Sequence, residues 1–247
     1  MSEPRAIGAA APSTANGPQV RSAIARAAQA TGVDFAYLLG EARLESSLNP
    51  NARAGTSSAA GLYQFTGSTW LQTLGRHGAA HGLGWAGDAI SGGRVTDPDQ
   101  RASIMALRYD PDASALMAGE LANDNRTALI GVLGREPDAG ELYLGHFLGA
   151  GGASQFLTAL QTDPEQSAAG LFPAAANANR SIFYDALGAP RSLGDVMGLL
   201  RGKMAIAMGD ISPSMAATLA ATFGLGADNT APPHVRAAYG KLQAFGL

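Results

Sequence analysis

From Pro18 onward, apolar side chains return every three or four residues. Val20, Ile24 and Ala27 or Ala28 share one stripe of PQVRSAIARAAQATG, which Gly32 stops. Asp34 is placed to cap a second helix, FAYLLGEARLESS, whose inward face is expected from Phe35, Leu38, Leu39, Ala42 and Leu44. Ser68 before TWLQTLGRHG, Asp97-Pro98 and Asp110-Pro111 mark three further starts, each a capping oxygen, twice with proline at the first helical position. PDAGELYLGHFLG and ASQFLTAL read as two shorter helices split by Gly149, Gly151 and Gly152. After a partly irregular stretch, AANANRSIFYDALGAPRS, Ser192 is placed to cap LGDVMGLLRGKMAIAM. Residues 1–17, rich in Ala, Pro, Ser, Gly and Asn, read as a disordered arm. An Ala- and Met-containing stretch and PPHVRAAYGKLQAFG suggest two more helices near the C-terminus. The expected organisation is an arm over 1–17, a helical domain over 18–202 and a helical extension over 203–247, with no convincing repeat.

Composition agrees with that pattern. There are 50 Ala but only 14 Val plus Ile, which favours a mainly α-helical protein with few strands. At 247 residues the chain is long enough to bury a real core. A formal charge of −3 with dispersed Lys and Arg provides no footprint for a nucleic acid partner. The absence of Cys removes disulfides and thiolate metal sites, and it suits export through an oxidising compartment. No apolar run is long enough to span a bilayer, so a transmembrane protein is not expected. The first residues lack a charged segment followed by an apolar one, so no signal peptide is visible in this chain; export would take another route, or the sequence is a trimmed one.

Three motifs resemble chemistry without its context. GLGWAG at 82–87 fits a dinucleotide-binding spacing, but no strand precedes it and the glycines suit a flexible loop. His77 and His81 stand four apart as helical metal ligands can, yet Gly78 replaces the catalytic Glu of the zinc motif and no third ligand is evident; a solvated loop is the preferred reading, and no metal is expected. Ser57 and Ser58 lack the strand–turn–helix setting of a serine hydrolase.

EARLESSLNPNARAGTSSAAGLYQF is different. Glu45 falls near the end of the second predicted helix, where the negative pole of the macrodipole disfavours a carboxylate. From spacing alone, Glu41 and Glu45 read more readily as surface residues flanking Arg43. The run Glu45-Ser46-Ser47-Leu48-Asn49-Pro50-Asn51-Ala52, followed by Gly61-Leu62-Tyr63-Gln64-Phe65, resembles the E-S-x-x-N-P-x-A and G-L-M-Q motifs of lytic transglycosylases with a goose-type-lysozyme-like catalytic domain. Tyr63 stands where Met is usual. Gly145-His146-Phe147-Leu148-Gly149 corresponds to the family's A-Y-N-A-G, with His146 in place of the sugar-contacting Tyr, in a form similar to phage-associated and proteobacterial members. The resemblance covers about residues 18–200.

The resemblance implies a lysozyme-like helical domain that cleaves the β-1,4 bond between MurNAc and GlcNAc in peptidoglycan and forms 1,6-anhydro-MurNAc, with no cofactor. It implies Glu45 as sole catalytic acid/base and Gln64, Tyr63, His146 and Phe147 in the sugar groove. Ser46, Ser58 and Tyr184 are further candidate substrate contacts. The resemblance also implies how a single carboxyl would suffice: the MurNAc C6 hydroxyl serves as the nucleophile and its 2-acetamido group stabilises positive charge at C1. Burial beside Leu44, Leu62 and aromatic residues is expected to raise the Glu45 pKa from about 4.3 towards about 6, leaving it protonated for attack. Two rival readings stand beside this one: a hydrolytic muramidase of the same fold, and a non-catalytic glycan-binding or assembly protein of a phage, secretion or flagellar apparatus. Each places the chain on glycan strands in the periplasm or cell envelope, or in a phage particle.

Overall fold

The computed structural model describes residues 17–209 except Thr56; the expected N-terminal arm up to residue 16 and the expected helices beyond 209 lie outside these residues. Among the described residues the fold is mainly helical and no strand forms. The helices are α1 (Gly17–Thr31), α2 (Phe35–Ser46), α3 (Gly67–His77), α4 (Gly84–Asp88), α5 (Pro98–Ala106), α6 (Pro111–Leu133), α7 (Ala139–Thr162), α8 (Ala168–Leu171), α9 (Pro173–Ala178), α10 (Arg180–Phe183) and α11 (Leu193–Met208).

Capping chemistry sets most of the starts. Asp34 accepts the amide hydrogen of Tyr37, Asp97 those of Asp99 and Gln100, and Asp110 that of Ala113, each worth about 1 kcal/mol. Ser192 and Asp195 form a reciprocal capping box at α11. The start of α3 differs from expectation: Thr66, two residues before Ser68, accepts from Thr69 N. The glycines of GLGWAG form no open loop but follow a 3-10 turn into the single-turn α4. Gly149 lies inside α7 with non-helical φ 73° and ψ 162°, so α7 is two helical segments meeting at a kink, the expected break at Gly149, while Gly151 and Gly152 are helical.

The long helices α6 and α7 lie against each other, α1 packs on α6, and α11 packs on α7 and α2. One apolar cluster gathers Val20, Ile24, Leu38, Leu62, Phe65 and Trp70 with Met204 of α11. A second joins the latter half of α7 with α8–α11 through Phe156, Phe183, Leu193 and Leu200. Tyr143 packs against both clusters. Phe35, expected on the inner face of α2, is exposed, and Tyr37 is buried instead.

The expected boundary at 203 falls inside α11, which continues to Met208 with Met204 and Ala207 buried. Helical periodicity carries the same buried face across the position, so the last turns of α11 belong to the core. An ion-pair network fastens α11 to α7: Glu141, buried at the first turn of α7, accepts from Arg135 at 2.8 Å through both oxygens and from Arg201 at 2.9 Å. Burial works to raise the Glu141 pKa, but the Arg135 hydrogen bonds, the Asp138 amide and the charge of Arg201 hold it below the usual carboxylate value. A depressed folded-state pKa stabilises the fold above the unfolded value of about 4.3, and that stabilisation disappears as pH falls through the folded value. Thermal melts should therefore show Glu141→Gln well below wild type at pH 7, with the gap closing below about pH 4. A gap of equal size at pH 3 would mean that the carboxylate charge does not matter.

Candidate active site

The segment after α2 is built on unusual backbone. Ser47 and Leu48 both adopt the left-handed region, with φ 54° and 62°, and their amides return to Arg43 O and Ala42 O. Gln64 is the third non-glycine residue of this kind, at φ 48°. Left-handed conformations at such residues cost of order 1 kcal/mol or more and persist where the surroundings impose them. All three flank the end of α2 and the 61–65 loop that closes over it.

Several hydrogen bonds fix that loop. Ser46 Oγ lies 2.7 Å from Leu62 O and 3.1 Å from Ala42 O. Gln64 Nε2 donates to Gly61 O at 2.9 Å and Ala52 O at 3.2 Å. Arg108 donates to Ser58 O and Phe65 O. At Gly61, φ is 82°, and a Cβ would stand 1.8 Å from Arg108 O. The loop and the end of α2 thus form one braced unit.

Glu45 emerges from this unit with 19% of its side chain exposed. Its Oε1 accepts the Tyr143 hydroxyl hydrogen at 2.9 Å and faces His146 Nε2 at 3.4 Å. Tyr143 and His146 are one turn apart on α7, and their rings lie nearly parallel, 5.9 Å between centroids. The other nitrogen of His146, Nδ1, meets Glu41 Oε1 at 2.7 Å. Close approach of α7 to α6 sets this height: a Cβ at Gly145 would stand 3.0 Å from Asn125.

The electrostatics follow from these contacts. Burial would lower the His146 pKa, but the carboxylates of Glu41 and Glu45 outweigh it and raise it to about 9, so the ring is an imidazolium at neutral pH. Burial, then Glu45, raises Tyr143 well above 10, so its hydroxyl keeps its proton. Burial pulls Lys203 down to about 8, against the opposing pull of Glu45. The apolar pocket expected around Glu45 is therefore incomplete. Leu62 is buried nearby, but the carboxyl also meets polar groups, the Tyr143 hydroxyl and the His146 ring.

The candidate substrate contacts separate into groups. His146 stands at Glu45. Tyr63 is fully buried and donates to Leu38 O, so it is a core residue and cannot line a groove. Ser46 and the Gln64 amide nitrogen brace the loop instead of projecting from it. Ser58 is exposed, and its Oγ accepts from Gly67 N. Phe147 stacks on Phe183 and packs on the second apolar cluster, and Tyr184 packs there too, beneath the Arg180 guanidinium. Glu41 is 2% exposed, not a surface partner of Arg43; Arg43 reaches Ala207 O on α11.

Tyr143 and Lys203 escaped the sequence reading, and Glu41 was read there as a surface residue. Their signals were helical spacings, Tyr143 to His146 and Glu41 to Glu45, that acquire meaning once α2 and α7 face each other. His77 and His81, set aside as solvated, instead contact α6: His77 Nε2 meets Asp124 at 3.0 Å and His81 Nε2 meets Glu120 at 2.6 Å. Among the described residues no group of three or more side chains is arranged to hold a metal ion, and no helix is long and apolar enough to cross a membrane. No protein-family model matches the chain.

Proposed function

We propose that the protein is a peptidoglycan lytic transglycosylase of the lysozyme-like kind, with Glu45 as its acid/base. The observation that carries the reading is the setting of Glu45: a partly open carboxyl at a strained helix end, accepting from a neutral tyrosine hydroxyl and facing an imidazolium. The motif resemblance around Glu45 and Gly61–Phe65 supports it. Protonated Glu45 gives its proton to the glycosidic oxygen as the bond to C1 breaks. The negative charge that then appears on Glu45 is met by Tyr143 and His146, which are already in place, so little reorganisation is needed. The carboxylate next takes the proton of the MurNAc C6 hydroxyl as that oxygen closes on C1.

No second carboxylate for a water-using mechanism is available in Glu41, which is buried and bound to His146. Such an activity places the protein on glycan strands in the periplasm or envelope, or in a phage particle that reaches them. Mass spectrometry of digested sacculi tests the reading: fragments ending in 1,6-anhydro-MurNAc, one water lighter than hydrolytic fragments, are expected. Reducing-end MurNAc as the main product would make the protein a muramidase, and intact glycan would leave it a binding or assembly protein.

A further inference from the structure

Two glutamates one helical turn apart, Glu41 and Glu45, point at the two nitrogens of one imidazole, 2.7 Å and 3.4 Å away. Glu41 is an expensive residue where it stands. It is buried, and its Oε2 has no hydrogen-bond partner, so the cation beside its Oε1, His146, is what offsets burying that carboxyl, with the Tyr37 hydroxyl as a neutral neighbour. An apolar side chain there would spare the fold this cost, which directs attention to what the carboxylate does for His146.

We propose that Glu41 is a positioning residue that keeps His146 doubly protonated throughout the Glu45 proton cycle. This rests on the reading of Glu45 as acid/base. While Glu45 is a carboxylate, it helps to hold the imidazolium. Once Glu45 is protonated, that charge is gone, and burial favours the neutral ring. A neutral His146 with an open Nε2 would accept the proton of Glu45, and the acid would lose to the ring the proton meant for the glycosidic oxygen. Glu41 prevents this, because its Oε1 lies 2.7 Å from Nδ1, closer than Glu45 lies to Nε2, and takes no part in the transfer from Glu45. With hydrogens on both ring nitrogens, His146 cannot take the proton, and its Nε2–H remains a donor to the carboxylate that Glu45 becomes.

The charged and titratable groups around the ring are Glu41, Glu45 and Tyr37 from α2 and Tyr143 from α7, with Lys203 of α11 acting on Glu45. Tyr37 and Tyr143 are held neutral by burial and by the adjacent carboxylates, so Glu41 is the anion left when Glu45 is neutralised.

The test follows the His146 ring by NMR in the full-length protein, with its signal among the four histidines assigned by loss in His146→Gln. In Glu45→Gln, which mimics the protonated acid, the midpoint should stay at least about one pH unit above the ordinary 6.5. In Glu41→Gln it should fall by about one pH unit or more from the wild-type value. Glycan turnover in Glu41→Gln should drop about ten- to a hundredfold at pH 7 with KM nearly unchanged, and Glu41→Asp should restore part of both. A midpoint near or below 6.5 in Glu45→Gln overturns the proposal even if Glu41→Gln does not fold. So does an unchanged midpoint in a folded Glu41→Gln, or full turnover in that variant. If wild type cleaves no glycan, the assignment of function fails, while the titrations still decide whether Glu41 holds the ring charged.

Discussion

Glu45→Gln should cut glycan turnover by a factor on the order of 10² to 10⁴ while glycan binding persists. The amide has the shape of the acid and can still accept from Tyr143, so the arrangement of α2 and α7 is kept. What it lacks is a transferable proton and the charge left after transfer, and in the proposed reaction both the protonation of the leaving oxygen and the deprotonation of the C6 hydroxyl depend on them. Turnover and sedimentation with sacculi, measured on one preparation, separate the two effects. Loss of binding together with turnover would point to a collapsed site, and full activity would mean that Glu45 is an ordinary helix end.

Gly61→Ala should be the most damaging single change to the site's frame. The left-handed backbone there costs a non-glycine residue about 1–2 kcal/mol, and the added methyl would have to displace Arg108 O from 1.8 Å, which adds about 1–3 kcal/mol more. For a domain of this size the melting temperature should fall by about 5–15 °C. Activity should fall further than stability accounts for. Arg108 carries the carbonyls of Ser58 and Phe65, and Leu62 O holds Ser46 one residue from Glu45, so a shifted loop moves the acid. A melt within about 2 °C of wild type would show that the loop relaxes without strain.

These two positions differ in how legible they were. Glu45 stands out in the sequence because a dense ordered motif surrounds it. Gly61 stands out only as part of GLYQF, and the reason it must be glycine is a carbonyl 47 positions away, at Arg108. Tyr63 and Gln64, beside it, were expected in the groove from the resemblance to G-L-M-Q; Tyr63 is buried with its hydroxyl on Leu38 O, and the Gln64 amide nitrogen bonds backbone carbonyls of its own loop. His146 was identified from its place in GHFLG, whereas Tyr143, which makes the direct hydrogen bond to Glu45, lay outside the motif.

The sequence by itself determined the helical character of the chain, the starts at Asp34, Asp97, Asp110 and Ser192, and the glutamate worth testing. Those properties depend on local chemistry: spacing near 3.6, a side-chain oxygen ahead of a helix, a short run of residue types. The tertiary structure decided which face of α2 is buried, that α11 continues past 203 into the core, and that Glu41, Tyr143, His146 and Lys203 act on or around one carboxyl. Charge states there follow from distances between residues about a hundred or more positions apart, and no local pattern encodes a distance of that kind.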